Sequence, residues 1–221
     1  RNVMCSPNPD ESRIHTALGE VARELSAAFT PQTTSYYEIW LDGEPVDASQ
    51  PFSTQKNAGK DEEPVYGKTY LPRKFKIALA VPPQNDTDVF ANDIGLIAIG
   101  QDGELAGFNV VAGGGLGMTF GQPETFPRLA DPLGYIDKQN VVKICEAIVT
   151  TQRDHGNREN RRLSRLKYTV ERLGLAAFKQ EIQSRSGVVF QPEQPYRFEH
   201  SGDRLGWTQT HEGRFHLTLF V

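Results

Sequence analysis

The chain's patterning predicts an α+β fold. Three observations carry this reading. Phe75, Ile77, Leu79 and Val81 alternate with period two through the run Arg73–Pro82, which marks a strand. Two further strand patterns, near 93–100 and 104–111, are joined by Gln101-Asp102-Gly103 and read as a hairpin. Segments toward both ends instead carry apolar residues at helical spacing.

Taken in order, residues 8–29 predict a helix. Asn8 suits a cap, Pro9 the first helical position, and Asp10 and Glu11 the positive end of the dipole. Ile14, Ala17, Leu18, Val21, Ala22, Leu25 and Phe29 then follow one face. Residues 35–41 predict a strand turned by Asp42-Gly43. Residues 43–67 have almost no apolar pattern and read as a long, mobile insertion loop. After the hairpin, residues 138–152 predict an amphipathic helix that buries Cys145 as a structural thiol. Residues 159–172 and 175–185 predict two more helices, split at Gly174, and Gly187 ends the second. Short strands are expected near 188–190 and 215–221, with Ser201-Gly202-Asp203 turning between them. The strand pattern from Trp207 onward lacks an obvious partner and is expected to open a further unit, dividing the chain into 1–206 and 207–221.

Composition narrows the function classes. The chain has 221 residues, 38% hydrophobic and 24% charged, as in a globular protein. A net charge of −4 argues against general nucleic-acid or anionic-membrane binding. No apolar stretch approaches the roughly 18 residues that span a bilayer. The chain opens Arg1-Asn2-Val3-Met4-Cys5 without a signal-peptide pattern, and its start on Arg rather than Met predicts a trimmed chain or a piece of a longer protein. Two cysteines, Cys5 and Cys145, fit a reducing, cytoplasmic setting and are too few for an iron–sulfur site. The five histidines show no metal-ligand spacing, so no metal ligands are assigned.

Within this acidic chain, positive charge is concentrated. Lys74 and Lys76 share the face of the 73–82 strand opposite its apolar residues, with Cβ atoms roughly 7 Å apart. Their neighbours Ala78 and Ala80 leave room for a small anion. Lysines also protect sheet edges, and this run alone does not separate the two roles. Gly107–Gly117 reads as a strand entering a glycine-rich turn, whose N–H groups could approach an anionic ligand. It lacks the Gly-Lys-Ser/Thr of a P-loop and the third glycine of a dinucleotide fingerprint, and a tight turn without ligand is the alternative. Gln152–Lys167 holds Arg153, Arg158, Arg161, Arg162, Arg165 and Lys167, against only Asp154 and Glu159. Arg158, Arg161, Arg162 and Arg165 are spaced to share one helical face, either solvated or set to pair with carboxylates or phosphates. Pro82-Pro83-Gln84-Asn85-Asp86, and Asn92-Asp93 after it, suit turns. Together these segments describe a site for a ligand rich in carboxylates plus a small anion.

Leu71-Pro-Arg-Lys-Phe-Lys76, Gly107-Phe-Asn followed by Gly113-Gly-Gly115, and Thr151-Gln-Arg-Asp with Gly156-Asn-Arg158 closely resemble the siroheme and 4Fe-4S hemoproteins of the sulfite/nitrite reductase family. The resemblance runs along the whole chain, with the loop near 47–60 as an insertion. It implies a mixed five-stranded sheet covered by helices, and six-electron reduction of sulfite to sulfide in sulfate assimilation. It implies that Lys74, Lys76 and Arg1 bind sulfite and supply its protons. By the same resemblance Arg73, Gly113, Gly114, Gly115, Arg153, Arg165 and Lys167 face the siroheme carboxylates. The partner is an electron-donor protein, either a flavoprotein subunit or ferredoxin. The family's cluster cysteines lie in a later segment, and neither Cys5 nor Cys145 matches them. A further anion-pocket arginine belongs to an earlier segment. The implied activity therefore belongs to a full-length protein, with this chain alone holding siroheme weakly or not at all. From Trp207 the resemblance implies a truncated ferredoxin-like half-domain. A siroheme nitrite reductase and a non-catalytic anion- or tetrapyrrole-binding module are the alternatives.

Overall fold

A computed structural model describes residues 2–8, 10–32, 39–41, 44–46 and 62–220. Its elements begin with β1 (Asn2–Met4), α1 (Arg13–Ala28), β2 (Ile39–Leu41), β3 (Glu44–Val46), β4 (Lys76–Ala80) and β5 (Gln84–Asn85). There follow β6 (Ile94–Gln101), β7 (Glu104–Ala112), β8 (Asp131–Asp137) and the helices α2 (Val141–His155), α3 (Leu166–Leu173) and α4 (Leu175–Ser186). The chain closes with β9 (His200–Ser201), β10 (Gly206–Gln209) and β11 (Phe215–Thr218). No helix among the described residues is long and apolar enough to cross a membrane.

The central sheet is mixed and five-stranded, in the order β1-β4-β6-β7-β8. β1, β4 and β6 run parallel, and the β6-β7-β8 pairs are antiparallel. The hairpin turn between β6 and β7 puts Asp102 and Gly103 at φ 53° and 81°, the left-handed pair that a two-residue connection requires. The fold is thus the α+β architecture expected.

One face of the sheet carries all four helices. Leu18, Val21 and Leu25 of α1, Ile144 and Ile148 of α2, Val170 of α3 and Phe178 of α4 bury against Ile77, Leu79, Leu96, Phe108 and Val110. Cys145 is fully buried among them, and burial pushes its thiol pKa far up, so it is the structural thiol expected. Among the described residues the opposite face has no α-helix. Ala78, Ala80, Ile97 and Val111 are covered there by Val89, Phe90, Tyr196 and Phe198. The extended segment holding these last two aromatics is pinned by Asn109, which is fully buried on β7. Its Nδ2 donates to Gln194 O at 2.7 Å and its Oδ1 accepts from Gln194 N at 3.0 Å. Asn109→Ala leaves both backbone groups of Gln194 unpaired beneath the sheet and is expected to cost about 2 kcal/mol. Urea denaturation of the variant checks this, and an unchanged midpoint would contradict the clamp.

Several expectations are corrected. α1 starts at Arg13 rather than at Asn8, because Ser12 is the cap, its Oγ accepting from His15 N. Asn8 is instead buried in the turn before the helix, with its carbonyl accepting from Glu11 N. Ala78 and Ala80 do not leave an open face, since both are fully buried under the aromatic segment. No strand forms at 188–190, where a single bridge between Gln191 and Tyr135 takes its place. The helix expected over 159–172 begins only at Leu166. The side-chain oxygen of Asn157 accepts from Glu159 N and Asn160 N, that of Asn160 accepts from Arg162 N, and Arg161–Leu163 is a single 3-10 turn. The four arginines therefore share no helix face. β10 finds its partner in β11, within the same terminal segment. Arg1, Pro9, the Asp42-Gly43 turn, residues 35–38 and the insertion at 47–60 lie outside the described residues.

At the end of α2, Asp154 accepts from Arg153 Nε at 2.6 Å and from Arg185 Nη1 at 2.6 Å. The Arg153 hydrogen bond, opposed by partial burial and reinforced by Arg185, holds its carboxyl down to about 2. A depressed folded pKa stabilises above the unfolded value of about 3.9, and that stability is lost as pH falls through the folded value. Stability measured by urea unfolding should therefore decline between about pH 4 and pH 2 through this group. Asp154→Asn should remove that part of the slope. An identical acid slope in the variant would show that the ion pairs contribute nothing.

Candidate functional site: a cationic cleft

The site begins where β4 begins. Arg73 and Lys74 lie just before the strand, on the chain that enters the sheet, and Lys74 is exposed. Opposite them runs the irregular stretch between α2 and α3, held open by the two asparagine turns. Between these walls lies a cleft of about 610 Å3, lined by Arg73, Lys74, Arg161, Arg162, Arg165 and Lys167 together with Gly117, Met118, Thr119, Asn160 and Tyr168. Among the described residues, six cationic side chains and no carboxylate line it, in a chain of net charge −4. A smaller cleft of about 280 Å3 adjoins it and shares Arg73, Lys74 and Arg161. Its other walls are Pro31, Tyr66, Tyr70, Leu71 and Pro72, and the two tyrosine rings stack with centroids 6.1 Å apart.

Beneath the cleft a buried carboxylate organises the charge. Asp93 is fully buried at the start of β6; its Oδ1 meets Arg165 Nη2 at 3.1 Å, and its Oδ2 accepts from Lys76 N at 3.0 Å. Burial pushes its pKa up, while Arg165 and the Lys76 amide oppose the rise. Lys76 is half-buried beside this carboxylate and lines neither cleft. Arg165 Nη2 also reaches Gly114 O at 3.3 Å, and its Nε is buried with no hydrogen-bond partner among the described residues.

The glycine turn works differently from the expectation. Its N–H groups are spent inside the protein: Gly113 N donates to Asp93 O, Gly114 N to Asn92 O and Gly115 N to Arg128 O. Its carbonyls instead hold cations. Gly113 O accepts from Arg128, Gly114 O from Arg165 and Gly115 O from Lys167. Gly113 sits at φ 85°, and a Cβ at Gly114 would lie 2.2 Å from Phe90 O, so the turn needs glycine for backbone packing. Lys167 is fully buried, and its ammonium donates to Gly115 O (3.1 Å), Gly117 O (2.7 Å) and Phe126 O. Burial lowers its pKa, and neighbouring Arg165 lowers it further. Its three protons tie down the loop, so its charge reaches the cleft through space.

Arg153 lies outside both clefts, with Nη1 on Val65 O at 2.7 Å and the rest of its guanidinium on Asp154. Of the residues expected at the site, the structure brings together Arg73, Lys74, Arg165 and Lys167, with Lys76 and the glycines beneath. Sequence reasoning missed Asp93 as the organising carboxylate. It also missed an apolar edge at Met118, which lines the larger cleft and is exposed by 61%, with exposed Leu116 and Phe120 on either side of it in sequence. The signal was the alternation Leu116, Met118, Phe120 directly after the glycine turn. A cationic wall with an apolar edge suits a flat ligand with a carboxylate-bearing rim.

The family model for the nitrite and sulphite reductase 4Fe-4S domain matches residues 21–190. The sulfite reductase (NADPH) hemoprotein beta-component of Shewanella piezotolerans is 52% identical over 221 residues, covering 100% of this chain and 38% of that protein. The protein of the same name from Geobacillus kaustophilus is 53% identical over the same span, again 38% of its length. The chain thus spans well under half the length of these relatives. The solved structure of the Mycobacterium tuberculosis NirA protein superposes on 97% of this chain and 32% of its own, with a TM-score of 0.65 and 19% identity, a likeness of fold.

Proposed function

Because the chain belongs to the nitrite and sulphite reductase 4Fe-4S domain family, we propose that it is the part of a sulfite reductase hemoprotein that binds sulfite and the carboxylates of siroheme. The wall of six cations, with no carboxylate among its described residues, carries this reading. Six cations are more than a single small anion can contact directly, and they suit a carboxylate-rich macrocycle with a small anion beside it. Arg165 Nε, without a hydrogen-bond partner among the described residues, and exposed Met118 at the cleft fit the rim and the face of such a group. Siroheme, when bound, supplies the redox-active iron.

The chain's own residues then have separable tasks. Arg73, Arg161, Arg162 and Arg165 hold carboxylates through paired N–H donors. Lys74, a compact charge on a flexible stem, meets the substrate anion and delivers protons as its oxygens leave as water. Lys76 acts from the half-buried position beside Asp93. We assign Arg1 to the same anion pocket by its motif. Gly113–Gly115 and Lys167 shape the wall, and Arg153 braces it. A 4Fe-4S cluster takes four thiolates, and the chain has two cysteines, one fully buried, so the cluster does not fit within it. Residues from Trp207 onward are assigned to a second unit, a reading supported by the outward face of the β10–β11 hairpin, where Trp207 and Phe215 are exposed. The NADPH in the relatives' names supports a flavoprotein electron donor over ferredoxin, and the two cysteines support a cytoplasmic setting.

The test compares sulfite and nitrite as substrates of the full-length protein with siroheme bound, using reduced viologen as electron donor. The reading expects the higher kcat/KM for sulfite. A higher value for nitrite would assign the chain to the nitrite branch, and turnover of neither would leave a binding module.

A further inference from the structure

The two walls of the cleft come from segments almost ninety residues apart, and one side chain joins them. Arg158 Nη1 donates to Thr69 O at 3.1 Å, and its Nη2 faces Tyr70 O at 2.6 Å, Arg153 O at 2.8 Å and the Thr69 hydroxyl at 3.1 Å. Nη2 has two hydrogens for these three acceptors, so the longer hydroxyl contact is the shared one. Thr69 and Tyr70 precede Leu71-Pro72-Arg73-Lys74, the strip that enters β4. Tyr70 takes a left-handed backbone, φ 54°, which a non-glycine residue holds only under constraint from its surroundings. Arg153 O belongs to the last turn of α2, whose carbonyls lack helical partners. Arg158 itself stands three residues before Arg161, at the start of the opposite wall.

Two neighbouring contacts have the same direction. Arg153 Nη1 holds Val65 O at 2.7 Å, and Gly156 lets the chain pass so close to Pro72 that a Cβ there would lie 2.6 Å from its ring. The end of α2 is therefore fastened to the 65–72 strip at three points, and Arg158 supplies the contacts to Thr69 and Tyr70.

We infer that Arg158 is a positioning residue for the substrate anion: its guanidinium clamps the Thr69–Tyr70 turn to the end of α2 and so fixes where Lys74 stands across from Arg161 and Arg165. It touches neither substrate nor cofactor and acts through Lys74. The inference rests on the reading of Lys74 as an anion-binding residue.

The experiment is a double-mutant cycle in the full-length protein, with KM and kcat for sulfite, siroheme absorption and urea midpoint measured for Lys74→Met, Arg158→Ala and the double variant. Arg158→Ala is expected to raise KM for sulfite about tenfold, with siroheme content and urea midpoint close to wild type. In the Lys74→Met background the same change should add little, because the residue acts through a side chain already removed. Arg158→Lys, which keeps one donor but loses the fork, should fall between, and it serves if Arg158→Ala folds poorly. If Lys74→Met leaves sulfite kinetics unchanged, the anion-site reading fails. If Lys74→Met is impaired but Arg158→Ala is not, or if the two effects simply multiply, the positioning role alone is wrong.

Discussion

Lys74→Met in the full-length protein is expected to lower sulfite turnover by about a hundredfold or more, with siroheme absorption expected to stay at the wild-type level. The magnitude follows from what the substitution removes. Methionine keeps the length and apolar stem of lysine but loses the charge and every transferable proton, and positioned proton donors contribute about 100- to 10,000-fold to rates. Lys74 is exposed, lines both clefts and stands on the strip leading into β4, so no other described cation occupies the same junction as a lysine. Siroheme should be retained because Arg73, Arg161, Arg162 and Arg165 remain to hold its carboxylates. Lys76→Met should move in the same direction. Steady-state reduction with a viologen donor, read beside the absorption spectrum, measures both quantities. Intact turnover in both variants would put the anion pocket elsewhere.

Lys167→Met is expected to destabilise the folded protein by about 3–5 kcal/mol, a large share of a net stability of roughly 5–15 kcal/mol. Lys167 is fully buried, and its ammonium is a donor to Gly115 O, Gly117 O and Phe126 O. Methionine fills much the same space but offers these carbonyls nothing. Gly115 O keeps its bond from Arg128 N, whereas the other two lose the partner described here. The ring of Tyr168, 4.8 Å from the ammonium, also loses a cation over its face. Urea unfolding gives the size of the effect, and proteolysis between Gly117 and Phe126 should appear early. A midpoint equal to wild type would mean that the ammonium is not tied down as described.

How much of this was readable in advance depends on the range of the forces involved. The β6–β7 hairpin was legible because its determinants are local: two apolar strand runs on either side of the turn-forming Asp102-Gly103. Gly174 and Gly187 were legible for the same reason, since each takes a positive φ where its helix ends. The lysine strand was legible in one face only. Alternation located Phe75, Ile77, Leu79 and Val81 correctly, yet Ala78 and Ala80 looked like open space until the segment around Tyr196 and Phe198 was seen to cover them. The arginine stretch misled because its spacing suits a helix, while Asn157 and Asn160 capture the backbone amides that the helix would need.

In the site itself, residue types were more legible than their tasks. Charge concentration pointed to Lys74, Arg165 and Lys167, the family resemblance added Arg73, and the cleft brings the four together. Nothing local distinguishes Lys167, buried against carbonyls some 41 to 52 residues away in sequence, from Lys74, open to solvent. Nor does a run of glycines announce whether its N–H groups or its carbonyls face the work. Here the carbonyls do, holding Arg128, Arg165 and Lys167, and the turn orients cations rather than binding anions itself.

The most direct measurement of the central claim is the siroheme content of the full-length protein when the shared wall of the two clefts is reversed in charge. Arg73→Glu combined with Arg161→Glu changes two residues that line both clefts and leaves the buried core untouched. With far-ultraviolet circular dichroism matching wild type, the account predicts that siroheme absorption per protein falls by about tenfold, as carboxylates meet carboxylates where they met guanidinium groups. Wild-type siroheme content and wild-type sulfite turnover in that variant would contradict it.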